Sequence, residues 1–325
     1  MTLKVHFKPT DIVRLADVKN ASRQIRPYIH RTPVLTCESL NRVAGHSLFF
    51  KCENLQKTGA FKFRGAVNAV SQLSDAELEK GVVTHSSGNH AAALAEAARI
   101  FGTKAHIVMP SSASKIKRKA VIEYGGNVIE CEPNLDSRLE YADRVQAETG
   151  ATMIPPFNDV RIIAGQGTAA LEFLQQVPNL DMMIAPIGGG GLIGGTCVTS
   201  TALSPRCKVI GAEPEGADDA YRSKEARELI PQTNPQTIAD GLLTSMGKLT
   251  WPYVRDMVRQ VVTVSDEETV KAMRLFLERA KVLIEPSSAV ALAAALSPKL
   301  NSAGRDRNIG IILSGGNVDL DHLPW

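Results

Sequence analysis

The sequence predicts an α/β protein in which a mostly parallel sheet carries helices on both faces. Short runs rich in β-branched residues alternate with longer helical stretches, the pattern of strand–helix–strand units. Several of these runs end in clusters of glycine, serine or proline, so the turns after them gather at the carboxyl edge of the sheet, where such folds bind ligands. The chain has 325 residues, 44% hydrophobic and 22% charged, which is enough for a large core in an ordinary globular protein.

The alternation predicts seven strands and two clear amphipathic helices. The strands are expected within 46–53, 81–87, 104–110, 127–133, 181–188, 207–214 and 309–316, and the helices within 90–102 and 138–149. The segment 81–154 holds three strand–helix units in a row. It is therefore predicted to form a smaller α/β domain nested in a larger one made of 1–80 and 155–325.

Composition excludes several classes of function. The net charge of +3 is nearly balanced and no basic block is interleaved with aromatic residues, so nucleic acid is not an expected partner. No apolar run approaches about 18 residues, and the first twenty residues lack the apolar region of a secretory signal. The cysteines are odd in number and share no C-x-x-C spacing, which favours reduced thiols in a cytoplasmic protein over disulfides or zinc; they are Cys37, Cys52, Cys131, Cys197 and Cys207.

A glycine run, GGGGLIGG from Gly188 to Gly195, follows a predicted strand and precedes small, helix-compatible residues. Glycines let a backbone approach a ligand closely, and the amides at a helix start bind anions, so a phosphate cradle is expected. The run also fits the dinucleotide pattern G-x-G-x-x-G, with Glu213 about twenty residues further on. An NAD-dependent dehydrogenase is therefore an alternative, although that pattern usually opens the first βαβ unit of its domain.

Two further turns of small residues are predicted at the same edge of the sheet. The motif SSGNH, from Ser86 to His90, places hydroxyls and helix-start amides where a ligand carboxylate could bind, and an ordinary helix cap is the alternative. The motif LSGGN places Ser314 at the end of the last strand. Three such turns at one edge are difficult to explain by packing alone.

Lys62 lies between Phe61 and Phe63 in the stretch TGAFKFRGA. A lysine amine becomes a nucleophile when removal from water lowers its pKa from about 10.4. If a helix begins here, the phenylalanines pack into the core and hold the lysine at a pocket wall. Most lysines lie at the surface with an extended side chain. A surface position for Lys62 would not explain why it lies beside glycine turns.

These motifs occur together in a known family. KTGAFKFRGA, SSGNH, AGQGT, GGGGLIGG, AEPEGADD, TIADG, IEPS and LSGGNVD, in this order and spacing, resemble the serine racemase/threonine dehydratase group of pyridoxal 5'-phosphate (PLP) enzymes, and eukaryotic-type serine racemases in particular. The resemblance covers nearly the whole chain. It implies the tryptophan synthase β-type fold, with a parallel-sheet large domain and a smaller nested α/β domain.

The resemblance also implies roles for individual residues. Lys62 would be the Schiff-base lysine and the base on one face of the substrate, and Ser87 the acid/base on the other. Phe61, the Gly188–Gly191 turn, Asn89 and Ser314 would bind PLP, with the turn at the phosphate, Asn89 at the ring hydroxyl and Ser314 at the ring nitrogen. The substrate would be held by Ser86, Asn89, His90 and Arg138.

A metal site and an effector site follow from the same resemblance. Glu213, Asp219 and the carbonyl of Ala217 match the group's divalent cation site, and oxygen ligands suit Mg²⁺, Ca²⁺ or Mn²⁺. Lys281 and Asn317 match a site for ATP as effector, but Ala92 stands where mammalian-type racemases have a nucleotide-binding glutamine. The resemblance further implies a homodimer.

The sequence thus predicts a PLP enzyme acting on small β-hydroxy amino acids such as L-serine. It would either racemise the substrate or expel its β-hydroxyl to give a keto acid and ammonia. A 3-hydroxyaspartate or threonine dehydratase is the alternative within this class.

Overall fold

The computed structural model describes residues 8–300 and 307–325, and these form two sheets with helices packed on them. The ten strands are β1 Val34–Thr36, β2 Ser47–Cys52, β3 Val82–Thr84, β4 Ala105–Pro110, β5 Asn127–Cys131, β6 Thr152–Met153, β7 Met182–Pro186, β8 Lys208–Pro214, β9 Gln260–Val264 and β10 Asn308–Leu313. All seven predicted strands are present. The structure adds β1, β6 and β9.

The larger sheet has the strand order β1-β2-β10-β7-β8-β9. Its strands run parallel except for β1, which pairs antiparallel with β2. Alternate residues of β7 enter different hydrophobic clusters, Met183 and Ala185 one and Met182 and Ile184 the other. Both faces of this sheet are therefore buried, as expected for a parallel sheet between helical layers.

The helices cover both sheets. They are α1 Pro9–Ile12, α2 Leu15–Ile25, α3 Glu38–Ala44, α4 Lys62–Val70, α5 Asp75–Lys80, α6 Asn89–Ile100, α7 Lys115–Glu123, α8 Leu135–Thr149, α9 Val160–Gln176, α10 Gly191–Leu203, α11 Asp219–Ala226, α12 Trp251–Asp256, α13 Asp266–Ala280 and α14 Pro286–Leu296. Short 3₁₀ turns lie at Glu53–Leu55, Lys57–Gly59, Glu215–Ala217, Asp240–Leu242 and Leu320–His322. No helix within the described ranges is both long and apolar enough to cross a membrane.

The smaller sheet has the order β5-β4-β3-β6 and is parallel throughout. All of its strands fall within the segment 81–154 that was expected to form the nested domain. The division into domains stays a prediction, and its ranges include residues 1–7 and 301–306, which lie outside the described part of the chain. All five cysteines are free thiols.

Candidate active site

A cavity of about 720 Å³ lies where the turns after β3, β7 and β10 meet the start of α4. It is lined by every residue that the sequence suggested for catalysis, cofactor binding or substrate binding: Phe61, Lys62, Ser86, Ser87, Asn89, His90, Arg138, Gly188, Gly189, Gly190, Gly191 and Ser314. The fold brings these residues together from segments more than 250 positions apart. The candidate metal ligands Glu213, Ala217 and Asp219 do not line it.

Lys62 is the first residue of α4 and lies at the wall of this cavity. Phe63 is fully buried, and the Lys62 Nζ lies 5.2 Å from the centre of the Phe61 ring. The amine donates a hydrogen bond to the carbonyl of Pro156 at 2.8 Å. Burial lowers the pKa of Lys62 to about 8, against a smaller opposing effect of the Glu285 carboxylate. A larger fraction of this amine than of an ordinary lysine amine is therefore unprotonated and nucleophilic near neutral pH.

The backbone just before Lys62 is strained. Thr58, a buried β-branched residue, has a φ of +61°, and Gly59 follows with a φ of +75°. A Cβ on Gly59 would lie 2.3 Å from the side-chain oxygen of Asn317, so a larger residue here would displace that side chain. The Asn317 Nδ2 donates to the carbonyl of Thr58 at 2.7 Å and so holds the turn. Strain of this kind is found mostly at functional sites.

The glycine turn Gly188–Gly191 follows β7 and leads into α10. Gly190 has a φ of +86°, and a Cβ there would lie 2.7 Å from the side chain of Thr250. Among the described residues, the amides of Gly188, Gly189 and Gly190 donate no hydrogen bond. Unpartnered amides at a helix start beside a cavity fit a phosphate group, so the residues present suit PLP.

Glu285 is a central residue of this site, and in the sequence it stands out only as part of the motif IEPS. Its carboxylate accepts two hydrogen bonds from the Asn89 Nδ2, at 2.8 and 3.1 Å, and one from the Asn317 amide at 3.2 Å. The Asn317 Nδ2 also donates to the Asn89 Oδ1 at 2.9 Å. Burial raises the pKa of Glu285, opposed by its bond from Asn89. Asn89 is therefore fixed in orientation at the cavity wall.

The SSGNH turn carries the remaining hydroxyls, and α6 begins at Asn89. His90 is buried, with its Nε2 at 2.9 Å from the carbonyl of Ile154. Burial and the charge of Lys62 lower the pKa of His90 to about 3, so the ring is neutral. The Arg138 Nε is buried and has no acceptor among the described residues.

A loop that was not assigned a role covers part of the cavity. Residues 240–246 line it, beginning at Asp240 in the motif TIADG, and Asp240 forms an ion pair with Lys117 of α7. The Gly247 amide donates to the Gly189 carbonyl at 3.3 Å, which joins this loop to the glycine turn. The motif TIADG is visible in the sequence, but only the fold reveals its position.

The candidate metal ligands lie behind that loop. Glu213 accepts from the amides of Ala220 and Tyr221, and the Asp219 Oδ2 accepts from the amide of Met246 at 2.9 Å. The Asp219 Oδ1 is buried without a partner. Burial raises the pKa of Asp219 to about 6, and burial together with the charge of Asp219 raises the pKa of Glu213 well above its usual value.

This donor set fits a hard cation. Two buried carboxylates, one of them with the unpartnered Asp219 Oδ1, and the Ala217 carbonyl are oxygen ligands of the type that Mg²⁺ and Ca²⁺ take. No group of three or more His, Cys, Asp or Glu side chains suited to a metal occurs within 8–300 and 307–325. The position of Glu213, outside the cavity, does not fit the ribose contact of a dinucleotide enzyme.

Comparisons with known proteins agree with this geometry. The family model described as "Pyridoxal-phosphate dependent enzyme" matches residues 25–315. A serine racemase of Arabidopsis thaliana is 55% identical over 312 residues, covering 95% of this chain and 94% of that protein. A beta-hydroxyaspartate dehydratase of Paracoccus denitrificans is 51% identical over 309 residues, covering 95% and 98%.

A solved structure gives the same result for the fold. The structure of maize serine racemase is 48% identical and superposes with a TM-score of 0.94 over 95% of each chain. The fold is therefore the tryptophan synthase β-type predicted from the motifs, and the dehydrogenase alternative is not supported. The chain belongs to the family of pyridoxal-phosphate dependent enzymes.

Proposed function

We propose that this protein is a serine racemase that also eliminates the β-hydroxyl of L-serine. The observation that carries the proposal is the single cavity in which the Lys62 amine, the Ser87 hydroxyl and the unpartnered amides of the glycine turn meet. Relatives about half identical over nearly the whole chain are named serine racemases. The cofactor is PLP, and it supplies an electron sink for negative charge at the substrate α-carbon.

The cofactor would be held by residues at three turns. The amides of Gly188–Gly191 would bind its phosphate, with the N-terminus of α10 adding a favourable dipole. Ser314, buried after β10, would bond the ring nitrogen, and Asn89, fixed by Glu285 and Asn317, would bond the ring hydroxyl. A hydroxyl at the ring nitrogen does not enforce its protonation as a carboxylate would.

The proton transfers would be carried out by two side chains from different elements of the fold. Lys62, at the start of α4, takes the α-proton, which its lowered pKa permits near neutral pH. Ser87, on the turn after β3, gives a proton to or takes one from the other side. Ser86 and the start of α6 at Asn89 and His90 bind the substrate carboxylate, because helix-start amides favour an anion.

A 3-hydroxyaspartate dehydratase is the second candidate, and Arg138 favours it. The buried Nε of this cavity-lining guanidinium lacks an acceptor among the described residues, and a second substrate carboxylate would provide one. The relative named beta-hydroxyaspartate dehydratase points the same way. L-Threonine stays a third possible substrate.

A comparison of L-serine, L-threonine and 3-hydroxyaspartate tests these candidates. We expect L-serine to give both D-serine and pyruvate. Arg138→Gln is expected to lower kcat/KM for 3-hydroxyaspartate by about 10- to 100-fold, since a charge-assisted hydrogen bond contributes about 1.5–3 kcal/mol, and to affect L-serine less. If the parental enzyme acts on 3-hydroxyaspartate and on neither of the other two substrates, and Arg138→Gln abolishes that activity, the dehydratase assignment replaces the racemase assignment.

We further propose a divalent cation, Mg²⁺, Ca²⁺ or Mn²⁺, bound by Glu213, Asp219 and the Ala217 carbonyl. Support comes from the orphan Asp219 Oδ1 and from the bond between Asp219 and Met246, which lies in the loop that contacts the glycine turn. A cation there would hold that loop against the cofactor site. It would also neutralise the two buried carboxylates.

Chelation should therefore destabilise the protein. Removing a ligand present at about 100 times its Kd costs about 2.7 kcal/mol, which corresponds to a fall in Tm of about 4 °C for a chain of this size. Differential scanning fluorimetry with and without chelator measures this shift. Asp219→Asn should abolish the shift in Tm on chelation. Asp218 binds Arg222 through its carboxylate, and Asp218→Asn should keep the shift. Equal Tm and turnover before and after exhaustive chelation would remove the metal from the proposal.

ATP as effector, a homodimer and a cytoplasmic location stay predictions. Asn317, which matches the nucleotide site, is engaged with Thr58 and Asn89, and Lys281 donates to the carbonyl of Glu278. Ala92 is buried in α6.

A further inference from the structure

A buried cluster of charges behind Lys62 takes no part in the function proposed above. Arg64, two residues further along α4, is fully buried. Its Nε and Nη2 donate to the two oxygens of Glu53 at 2.6 and 2.8 Å, and its Nη1 and Nη2 donate to the two oxygens of Glu172 at 2.9 Å each. Nη1 also contacts the Thr168 Oγ1 at 3.2 Å. All five N–H groups of the guanidinium are thus used.

The cluster is balanced in charge. Lys51 donates from its Nζ to Glu172 at 2.8 Å, to the Thr32 carbonyl at 2.8 Å and to the Gln176 Oε1 at 2.9 Å. Two cations therefore face two carboxylates. Burial acts to raise the pKa of Glu172, but hydrogen bonds from Arg64 and Lys51 hold it below its usual value. The cluster joins α4 to the end of β2 and to α9.

The motif AGQGT accounts for the close packing of α9 on both sides. A Cβ on Gly165 would lie 2.7 Å from the Gly65 Cα, and the Gln166 Oε1 accepts from the Gly65 amide at 3.1 Å. On the other side, a Cβ on Gly195 of α10 would lie 2.4 Å from the Gly167 amide nitrogen. α9 therefore separates the helix that carries Lys62 from the helix that follows the glycine turn, with backbone against backbone on both sides.

The first turn of α4 lacks a cap of its own. Phe61, at the N-cap position, makes no side-chain hydrogen bond to the helix. The amides of Phe63 and Arg64 donate to the carbonyls of Ala60 and Phe61, and the Gly65 amide donates to Gln166 of α9. Contacts with neighbouring elements therefore hold this turn in place of a side-chain cap. Residues two apart on a helix lie about 200° apart, so Arg64 reaches into the core while Lys62 reaches the cavity.

We propose that Arg64 is a positioning residue: its ion pairs with Glu53 and Glu172 fix the first turn of α4 and thereby the place of Lys62 relative to the Gly188–Gly191 turn. The proposal rests on the role of Lys62 in the function proposed above. On this proposal, the buried charges and the glycines of α9 serve the same role. They keep a constant distance between the Lys62 amine and the Gly188–Gly191 turn. A misplacement of about 1 Å can cost about 100-fold in rate.

Arg64→Lys tests this in the holoenzyme, because lysine keeps the charge but loses the planar fork that binds two carboxylates. Assayed at a temperature well below the Tm of the variant, kcat on L-serine is expected to fall about 10- to 100-fold, with KM within about twofold of the parental value. The visible circular dichroism band of the bound cofactor should also weaken. That band needs no substrate, so it tests the positioning even if L-serine fails as a substrate of the parent.

Phe276→Leu is the matched control. Phe276 is fully buried against Phe50 in the hydrophobic cluster on the other face of the larger sheet from α9. The Phe276→Leu substitution should lower Tm while leaving kcat and the visible circular dichroism band unchanged. If Arg64→Lys behaves like this control, Arg64 is merely structural and the proposal fails.

A milder variant covers the case in which Arg64→Lys does not fold. Thr168→Val removes one hydrogen bond to the guanidinium, together with the bond from the Thr168 hydroxyl to the Gly165 carbonyl, and keeps the shape of the side chain. We expect a change of the same kind, about two- to fivefold in kcat with a weakened visible band. A Thr168→Val enzyme with parental kcat and parental visible band would overturn the proposal.

Discussion

Lys62→Ala is expected to give a protein that folds but is colourless after dialysis and has lost at least about 10⁴-fold in turnover. Lys62 is the cavity lysine whose pKa is lowered by burial, to about 8, and whose amine points at the carbonyl of Pro156 across the pocket edge. Both covalent attachment of the cofactor and removal of the α-proton would be lost in one step. Absorbance near the cofactor band and turnover of L-serine measure the two effects separately.

Borohydride reduction followed by peptide mapping locates the attachment. In the parent, the reduced cofactor should be found on the peptide that contains Lys62. Lys57→Ala is the control, since Lys57 lies in the preceding 3₁₀ turn with its Nζ 5.8 Å from the Phe63 ring centre, and this variant should stay yellow and active. A Lys62→Ala protein that retains reducible cofactor and parental turnover would refute the assignment.

Ser87→Ala is expected to abolish the interconversion of L- and D-serine, by about 10²- to 10⁴-fold, while elimination from L-serine and the yellow colour persist. Racemisation needs a proton donor on each side of the substrate, whereas elimination can proceed with Lys62 alone taking the α-proton. Ser87 lines the cavity on the turn after β3, whereas Lys62 lines it from the start of α4. Chiral chromatography and a coupled pyruvate assay on one sample give both rates.

Ser86→Ala is the matched control for this experiment. Ser86 is expected to bind the substrate carboxylate, so its loss should lower both reactions together. If Ser87→Ala instead lowers both rates in the same proportion, or racemises at the parental rate, Ser87 is only part of the turn.

Most of the fold could be predicted because its strands carry strong local signals. The seven predicted strands are β-branched runs, and several of them end in Gly, Ser or Pro clusters. β1 and β6, with three and two residues, are too short to show any alternation. β9 is an edge strand that passes directly into the helix cap at Ser265, so no glycine or proline marks its end.

The candidate site was predictable where a residue type carries its chemistry locally. A lysine between two phenylalanines, and four consecutive glycines after a strand, are such cases. Glu285 is not, because its position depends on Asn89, 196 residues away, and on Asn317, 32 residues away. The same is true of Asp240. Its ion-pair partner, Lys117, lies 123 residues away on α7. Their motifs were visible, but only the fold brings the partners together.

The most direct test of the proposed function is to incubate the purified yellow holoenzyme with L-serine in D₂O and to analyse the products. We expect D-serine that carries deuterium at the α-carbon, formed together with pyruvate, because Lys62 and Ser87 exchange protons with the solvent. Formation of pyruvate without any D-serine, or recovery of L-serine unchanged and undeuterated, would contradict the racemase assignment.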